Sequence, residues 1–444
     1  MLPGMSGHRR WVYPRSIHGR FQRIHRISGV ALQALLVLAP WIRVGGLPLV
    51  RVDLPARRLT LLGQVFTASD GFMLVLLALL AAFGLFWFTA MFGRMWCGYV
   101  CPQTVFLEEW VRPVERWFEG DRGQRMRRDA GPWTFDKVWR KAGKLTAFAL
   151  LAVFLATSVQ AWFAGPVELW TGRAGPVDYT LVGAMAVGLF LDWAWFREQL
   201  CIYLCPYARF QSALTDDESL VIGYDRPRAE PRAKGRLAAE EGRCIDCAKC
   251  VQVCPMGIDI RDGFQLECIN CARCVDACED VMGQLGHPSL VRYTTIAADE
   301  GRRTRLVRPR TIVYGVLLTT LTTLLFLLAG ANQPMEVSVQ RAPGTLYQVD
   351  DDGFVRNTYL LRVDNHDPLR SHVFTVDVVG LPGGEVVVPP LEIPPLEGRT
   401  VPLVVRAPAG ALEASTSLTV EVRSGDAHVK RDATFRAPRR AGQG

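Results

Sequence analysis

The sequence has no cysteine before residue 97 and none after residue 278, although it contains twelve in between. A secreted domain held together by disulfides is short and carries cysteine throughout, so this distribution excludes that class. The cysteines form tight runs instead, which indicates metal ligation by thiols that stay reduced on a cytoplasmic side. The N-terminal residues also lack a small-residue cleavage site, so we expect the first apolar stretch to remain as a membrane helix.

Other kinds of site are missing as well. No histidine lies within an apolar stretch, which argues against a haem held by two histidines, and we expect His18 and His25 at the membrane surface. No G-x-G-x-x-G motif follows a predicted strand, so no nucleotide or flavin fold is expected. The net charge of +8 at pH 7 could suit nucleic acid. The basic residues flank apolar stretches, however, where the positive-inside rule accounts for them, so we expect no nucleic-acid binding.

Five stretches are long and apolar enough to cross a membrane, which takes roughly twenty residues of helix. They cover residues 27–42, 71–92, 145–167, 179–196 and 311–333. Residues 8–26 and the 93–144 connection are strongly basic, whereas the 166–177 connection carries only Arg173. The positive-inside rule therefore predicts a cytoplasmic N-terminus. Residues 43–69 hold four arginines on the opposite side, and we expect this connection to lie along the interface.

Two identical cysteine runs form the strongest motif in the sequence. Both follow C-x2-C-x2-C-x3-C. In ferredoxins with two [4Fe–4S] clusters, the fourth cysteine of each run ligates the cluster of the other run. We therefore predict that one cluster is bound by Cys244, Cys247, Cys250 and Cys278, and the other by Cys268, Cys271, Cys274 and Cys254. Zinc is the competing metal ion, since C-x2-C pairs also bind it, but the duplicated pattern favours iron–sulfur clusters.

The two runs differ in the residue that follows them. Pro255 follows the first run, and Glu279 follows the second. A carboxylate beside a cluster should lower the potential of that cluster, because the oxidised state carries less negative charge.

The C-terminal residues have the pattern of an antiparallel sandwich. Short segments rich in Val and Thr are separated by Gly and Pro at close intervals, which is typical of strands and turns. The segments are Asn357–Val363, His372–Val379, Glu385–Val388, Thr400–Val405 and Ser417–Val422. The absence of cysteine excludes a disulfide-stapled immunoglobulin domain.

These features predict a multi-domain membrane protein with five transmembrane α-helices, a cytoplasmic 2[4Fe–4S] ferredoxin-like domain and a C-terminal all-β sandwich. Residues 1–26 would form a basic cytoplasmic arm, and 27–197 a four-helix membrane region. Residues 198–310 would form the cytoplasmic cluster domain, 311–333 the fifth helix, and 334–444 a periplasmic domain.

A second cysteine motif, C-x3-C-P, occurs twice with an offset of 104 residues. The first copy contains Cys97 and Cys101, and the second contains Cys201 and Cys205. Each copy closes a predicted span at the cytoplasmic face. Positions i and i+4 share one helix face, so each pair could aim two sulfurs at one point, and the following proline should end or kink the helix. Four such thiols could bind a soft metal ion, for which Cu(I) is the natural candidate.

Other roles for these four cysteines remain open. A disulfide within each pair is disfavoured on a reducing side. Inert packing of buried cysteines is the plainest alternative, since free cysteine is often buried. Zinc or a third iron–sulfur cluster are the remaining metal alternatives.

The chain resembles the FixG/CcoG/RdxA family of cytochrome c oxidase accessory proteins. The resemblance rests on the two C-x3-C-P motifs together with four segments of the cluster domain: Tyr224–Arg232, Cys244–Cys247, Gly257–Arg261 and Glu267–Ile269. The ferredoxin motif alone is common to many proteins, whereas its combination with five spans and the paired motifs is specific. The outer tail looks like the family's immunoglobulin-like C-terminal domain.

The resemblance implies a role in assembling cbb3-type cytochrome c oxidase at the bacterial inner membrane. The implied activity is reduction of Cu(II) to Cu(I), a cupric reductase, with electrons from an unknown cytoplasmic donor. Cys97, Cys101, Cys201 and Cys205 would be both its catalytic and its copper-binding residues. Expected partners are oxidase subunits or assembly factors, copper ions, membrane lipid and, as a further candidate, a second copy of the chain.

Two other functions fit the same sequence. One is a polyferredoxin subunit that passes electrons to quinone or to a periplasmic partner. The other is a non-enzymatic scaffold whose C-terminal sandwich docks assembly intermediates, although a pure scaffold would not need eight cluster ligands.

Overall fold

The computed structural model describes most of the chain: residues 11–55, 58–66, 71–234, 236–330, 335–344, 346–365, 367, 370–395, 397–408, 414–425 and 427–438. The fold divides into two compact units. The first lies within residues 1–325, and the second comprises residues 326–444 with short pieces of the 44–65 connection.

Five helices in the described residues are long and apolar enough to cross a membrane. They are α1 (Arg20–Leu38), α2 (Gly71–Phe92), α7 (Phe135–Ala164), α9 (Pro176–Leu191) and α16 (Pro309–Gly330). The prediction of a five-helix membrane protein is confirmed at this level.

The bounds of these helices differ from the predicted spans where the helix extends beyond its apolar part. Helix α1 begins at Arg20 rather than at residue 27, so it contains His25, whose side chain is buried within the protein. Helix α7 begins at Phe135 rather than at 145, because Thr134 caps it by accepting a hydrogen bond from the Lys137 amide at 3.3 Å. Residues 331–333 of the fifth predicted span lie outside the described residues.

Short helices carry the chain between the spans and hold the C-x3-C-P motifs. The α-helices are α3 (Met95–Tyr99), α4 (Pro102–Phe106), α5 (Arg112–Glu119), α6 (Arg122–Ala130), α8 (Pro166–Trp170) and α10 (Pro206–Leu214). π-Helical turns lie at Leu107–Val111, Asp192–Phe196 and Leu200–Leu204, and a 3-10 turn at Ala39–Trp41. Such π-turns are rare and frequently mark functional sites.

Short strands follow α1, and one antiparallel pair forms part of the cluster-bearing segment. The first group is β1 (Arg43–Val44), β2 (Leu47–Pro48), β3 (Val50–Asp53), β4 (Arg58–Leu61) and β5 (Gln64–Phe66), of which β3 and β4 pair. The second is β6 (Val221–Tyr224) with β7 (Val291–Thr294). Together β6 and β7 bring the two ends of the cysteine-rich segment back to one place.

Small helices fill the cysteine-rich segment between β6 and β7 and just after it. They are α11 (Arg226–Ala229), α12 (Arg236–Glu240), α13 (Lys249–Gln252), α14 (Arg273–Gln284) and α15 (Ile296–Asp299), with a 3-10 turn at Ile260–Asp262. Their apolar side chains and most of the cysteines form one buried cluster that also includes Cys97.

The C-terminal unit is a sandwich of two antiparallel sheets, as predicted. Its strands are β8 (Met335–Arg341), β9 (Gln348–Val349), β10 (Phe354–Asn365), β11 (His372–Val379), β12 (Glu385–Val387), β13 (Leu391–Ile393), β14 (Gly398–Pro408), β15 (Ser415–Ser424) and β16 (Ala427–Arg436). One sheet has the order β12-β14-β10-β8 with β9 beside β10, and the other β13-β11-β15-β16. The alternating residues of β10 and β14 face one shared apolar core in which Leu361, Leu403 and Phe435 are fully buried.

Candidate metal centres

Each predicted set of four cluster ligands lines one cavity. One cavity is lined by Cys244, Cys247, Cys250 and Cys278. A second is lined by Cys268, Cys271, Cys274 and Cys254, together with Cys250. The fourth cysteine of each run thus lies with the other run, which is the arrangement that a two-cluster ferredoxin requires. The residues therefore fit two [4Fe–4S] clusters, which would supply one-electron chemistry when bound.

The two ligand loops repeat the same unusual backbone conformation. Asp246 and Ala248 in the first loop have positive φ, and so do Asn270 and Ala272 at the equivalent positions of the second. Asp and Asn tolerate this left-handed conformation better than most residues. A paired left-handed turn bends the loop around the space between its cysteines. The sequence offered Asp and Asn as a weak signal for this bend.

The ligand thiols are buried, which changes their acidity in the metal-free protein. Burial raises the pKa of the Cys250 and Cys268 thiols to about 12. Backbone amides of Met256, Gly257 and Ile258 act in the opposite direction on the pKa of Cys254. Such thiols deprotonate only when a cation replaces the proton, so assembly of a cluster should release protons.

The two cavities differ in exposure. Cys247 of the first set is exposed, whereas Cys268 and Cys271 of the second are buried. Lys249 and Arg273 occupy equivalent loop positions, and they differ in the same way. Lys249 pairs with Asp280 at the surface at 2.9 Å, and Arg273 is buried against Glu108 at 2.6 Å. The first cavity thus faces outward, and the second faces the helices at the membrane edge.

The C-x3-C-P motifs do not form continuous helices. Helix α3 ends at Tyr99 and α4 begins at Pro102, so Cys101 is the N-cap of α4 rather than a partner of Cys97 on one helix face. Cys205 is likewise the N-cap of α10, after the π-turn that contains Cys201. Proline fits the first turn of a helix, where its missing amide is not needed. The break predicted at each proline is therefore present, but it places the second cysteine of each pair at the start of a new helix.

The four motif cysteines lie near one another. Burial, opposed by Arg94 and assisted by the neighbouring Cys101 and Cys205, raises the pKa of the Cys97 thiol to about 11. Burial also raises the pKa of Cys201, to which Cys101, Cys97 and Cys205 contribute in the same direction. In the described residues, however, no three His, Cys, Asp or Glu side chains lie close enough together to hold a single metal ion. The four thiols are therefore neighbours without forming the closed ligand set of a single-ion site.

The first motif packs directly on the second cluster loop. A Cβ atom added at Gly98 would lie 2.5 Å from the Ile269 carbonyl oxygen and 3.2 Å from the Cys271 Cα atom. Tyr99 donates a hydrogen bond to the Cys271 carbonyl oxygen at 3.4 Å, and its hydroxyl lies 3.1 Å from that of Tyr293. The backbone next to Cys97 thus touches the backbone next to a predicted cluster ligand.

A buried ion-pair network fixes the helices around this contact. Arg197 makes a bidentate pair with Glu115, at 2.6 and 3.0 Å, and Arg125 also pairs with Glu115, at 2.9 Å. Glu108 joins Arg112 to Arg273, which stands between two predicted cluster ligands. This network was not predicted from the sequence. The spacing of Glu108, Arg112, Glu115 and Glu119, which share one helix face, was the available signal.

Glu279 has a partner that the sequence did not suggest. Arg20 at the start of α1 pairs with it at 2.6 Å. The pair is partly exposed, so it offsets part of the expected effect of the carboxylate on cluster potential.

Three family models match the chain. Residues 196–296 match a "4Fe-4S dicluster domain", and residues 74–123, which include Cys97 and Cys101, match a "4Fe-4S binding domain". Residues 325–438 match a model described as an IG-like fold at the C-terminal of FixG. The iron–sulfur and immunoglobulin-like parts of the predicted fold are confirmed by these matches.

The relatives align over most of the chain. The "Nitrogen fixation protein FixG" of Rhizobium meliloti is 35% identical over 422 residues, which cover 84% of this chain and 80% of the relative. "Protein RdxB" of Cereibacter sphaeroides is 36% identical over 378 residues, with 80% and 79% covered. A crystal structure of a FixG-related protein from Vibrio parahaemolyticus covers 24% of this chain and 98% of its own, with 23% identity and a TM-score of 0.22.

Proposed function

Because the chain belongs to the family of FixG and the Rdx proteins, we propose that it is a membrane iron–sulfur oxidoreductase that reduces Cu(II) to Cu(I). In this proposal electrons come from a cytoplasmic donor by way of two [4Fe–4S] clusters, and the Cu(I) product serves assembly of a cbb3-type cytochrome c oxidase. Each Cu(II) ion takes up one electron, so two reduced clusters supply two copper ions.

The observation that carries the proposal is the contact of the first C-x3-C-P motif with the second cluster loop. Gly98, one residue after Cys97, leaves no room for a side chain against Ile269 and Cys271. Thiolates beside this contact are soft ligands that favour Cu(I) over Cu(II). A site that prefers the reduced ion, placed next to an electron source, favours reduction of the bound copper.

The exposure of the two cavities supports an order for the reaction. Cys247 is exposed and accessible to a soluble donor, whereas Cys271 is buried against the motif. We therefore propose that the outward cavity is the entry for electrons and that the buried one is their exit. The cytoplasmic position of both, and the periplasmic position of the C-terminal unit, are part of the proposal.

The test is Cu(II) reduction by protein purified without oxygen. Wild type is compared with a variant in which Cys97, Cys101 and Cys205 are alanine, and iron content and the EPR spectrum of the clusters are recorded on both. Loss of copper reduction with both clusters retained would support these cysteines as the copper site. Normal reduction by the variant would make them structural and would favour the polyferredoxin function.

Iron content also tests whether the four cysteines of the C-x3-C-P motifs bind a third iron–sulfur cluster rather than copper. These four, the C-x3-C-P quartet, are Cys97, Cys101, Cys201 and Cys205. The family model matched by residues 74–123 is an iron–sulfur one, and no single-ion geometry is present among the described residues. Eight irons per chain would leave the quartet free for copper. Twelve would mean that the quartet binds a third cluster, and copper would then receive its electron from that cluster without thiolate ligation.

We propose that the C-terminal unit binds an oxidase subunit or assembly factor. Deletion of residues 334–444 should leave Cu(II) reduction intact and abolish oxidase assembly in cells. If reduction is lost while the clusters remain, the C-terminal unit takes part in the chemistry and the docking role is wrong.

A further inference from the structure

Arg94 is a buried cation held in place by a turn that only glycine allows. It follows Gly93, whose φ is 57°, and a Cβ atom at Gly93 would lie 2.2 Å from the Leu220 carbonyl oxygen. The Arg94 side chain is 6% exposed. Helix α2 ends just before this turn, so Arg94 lies at the membrane edge between α2 and the Cys97 motif.

Arg94 makes its hydrogen bonds to neutral groups. Its Nε donates to Gln211 Oε1 at 3.0 Å, and its Nη1 donates to the Leu266 carbonyl oxygen. Among the residues that the structure describes, no carboxylate lies within ion-pair distance of Arg94. The other buried arginines each have such a partner: Arg112, Arg125, Arg197, Arg273 and Arg308.

An unpaired buried charge is costly, so a counter-charge is to be expected. Burial of a charge without a partner costs several kcal/mol even after the protein relaxes. An arginine stays protonated under all ordinary conditions, so it does not escape this cost by losing its proton. The described residues supply polar neighbours only, so a negatively charged bound group would supply the counter-charge.

Thiols of two predicted metal centres lie within reach of this charge. The Leu266 carbonyl that accepts from Arg94 lies two residues before Cys268, and the Gln211 oxygen that accepts from Arg94 also accepts from the Cys97 thiol. Cys97 belongs to the C-x3-C-P quartet, and Cys268 belongs to the buried cavity.

Gln211 connects Arg94 to the quartet. It is fully buried, and its Oε1 accepts hydrogen bonds both from Arg94 and from the Cys97 thiol at 3.1 Å. A metal-bound Cys97 thiolate has no proton to donate, so it would leave Oε1 to Arg94.

We infer that Arg94 is a positioning residue that supplies one shared counter-charge to the buried cluster and to the C-x3-C-P quartet. A fixed positive charge stabilises the more negative, reduced state of any group near it, so Arg94 raises the reduction potential at both places. The higher potential favours electrons residing on the buried cluster and the quartet rather than on the outward cluster. This inference rests on iron–sulfur binding by the Cys268 loop and does not depend on copper as acceptor.

The test is an EPR-monitored redox titration of the purified, iron-loaded protein. Arg94→Gln removes the charge, Arg94→Lys keeps it, and Gln211→Glu cancels it with an isosteric carboxylate that leaves Arg94 in place. Arg20→Gln, at the exposed pair with Glu279, is the control. Iron content and the titration are measured without copper, so the result is independent of Cu(II) reduction.

We expect Arg94→Gln and Gln211→Glu each to shift the midpoint potential of one of the two clusters to more negative values, with the other unchanged. Arg94→Lys should shift it less, and Arg20→Gln should leave that cluster at the wild-type value. If the Arg94→Gln protein does not retain its iron, the midpoint potentials of the Gln211→Glu protein test the inference. An unchanged titration in iron-loaded Gln211→Glu, or an equal shift of both clusters, would overturn the inference.

Discussion

Replacement of Gly98 by alanine should separate the C-x3-C-P motif from the second cluster loop. The added Cβ would lie 2.5 Å from the Ile269 carbonyl oxygen, whereas ordinary contact begins at 3.4 Å. The two backbones must therefore move apart by about 0.9 Å, because neither neighbour is the flexible end of a side chain. Overpacking of this kind costs ~1–3 kcal/mol of stability. A displacement of about 1 Å between reacting groups can lower a rate by up to about 100-fold.

The assay is Cu(II) reduction by Gly98→Ala protein, with iron content measured on the same sample. We expect at least a severalfold loss of rate with both clusters retained. Gly283→Ala is the matched control. Gly283 lies in α14, and a Cβ there meets nothing within 4 Å, so this change should be neutral or stabilise by ~0.4–1 kcal/mol. Wild-type copper reduction by an iron-loaded Gly98→Ala variant would refute the role of this contact.

The remaining predictions concern stability. Glu115→Gln should lower the unfolding free energy by ~3–5 kcal/mol, because it leaves Arg197 and Arg125 buried without their partner; thermal denaturation at pH 7 measures this. Burial alone would raise the pKa of Glu115, but Arg197 and Arg125 lower it to about 2. The stabilisation by Glu115 is therefore fully present above its ordinary pKa of 4.5 and is lost as pH falls toward 2. If the stability of Glu115→Gln falls equally steeply with acid, this account is contradicted. Tyr99→Phe should cost only ~0.5–1.5 kcal/mol and keep both clusters, which iron analysis checks. Leu403→Ala should destabilise the C-terminal sandwich by ~2–5 kcal/mol, and iron loss in this variant would contradict the independence of the two units.

The parts of the fold that follow a local rule were predictable. Helix α2 spans Gly71–Phe92, as predicted, because an uncharged apolar stretch of this length forms a membrane helix that ends at the flanking polar residues. Strands β10, β11 and β14 follow from short segments of β-forming residues with a period of two, in which every second side chain is the more buried along most of each strand. The crossed grouping of cysteines follows from two identical spacings. The matched family models identify the segment as 4Fe-4S binding, whereas the assignment of each cysteine to one cluster stays a prediction.

The parts that depend on distant residues were not predictable. Strand β16, which pairs with β15, was not predicted, because the charged residues Lys430, Arg431 and Asp432 interrupt its apolar pattern. The contact of Gly98 with Ile269 joins residues far apart in sequence, and no local pattern encodes it. The isolation of Arg94 depends on which carboxylates are absent from its surroundings among the described residues. Hydrophobic period and motif spacing carry no information on such pairings.

The central claim is that electrons held by the clusters reach copper through the C-x3-C-P cysteines, and one single-turnover measurement tests it most directly. The purified protein is reduced without oxygen, excess reductant is removed, and Cu(II) is added while EPR follows the clusters and a Cu(I) chelator follows the product. We predict that wild type reoxidises with one Cu(I) formed per electron, and that the variant with Cys97, Cys101 and Cys205 replaced by alanine stays reduced. Equal reoxidation of both proteins would contradict the claim.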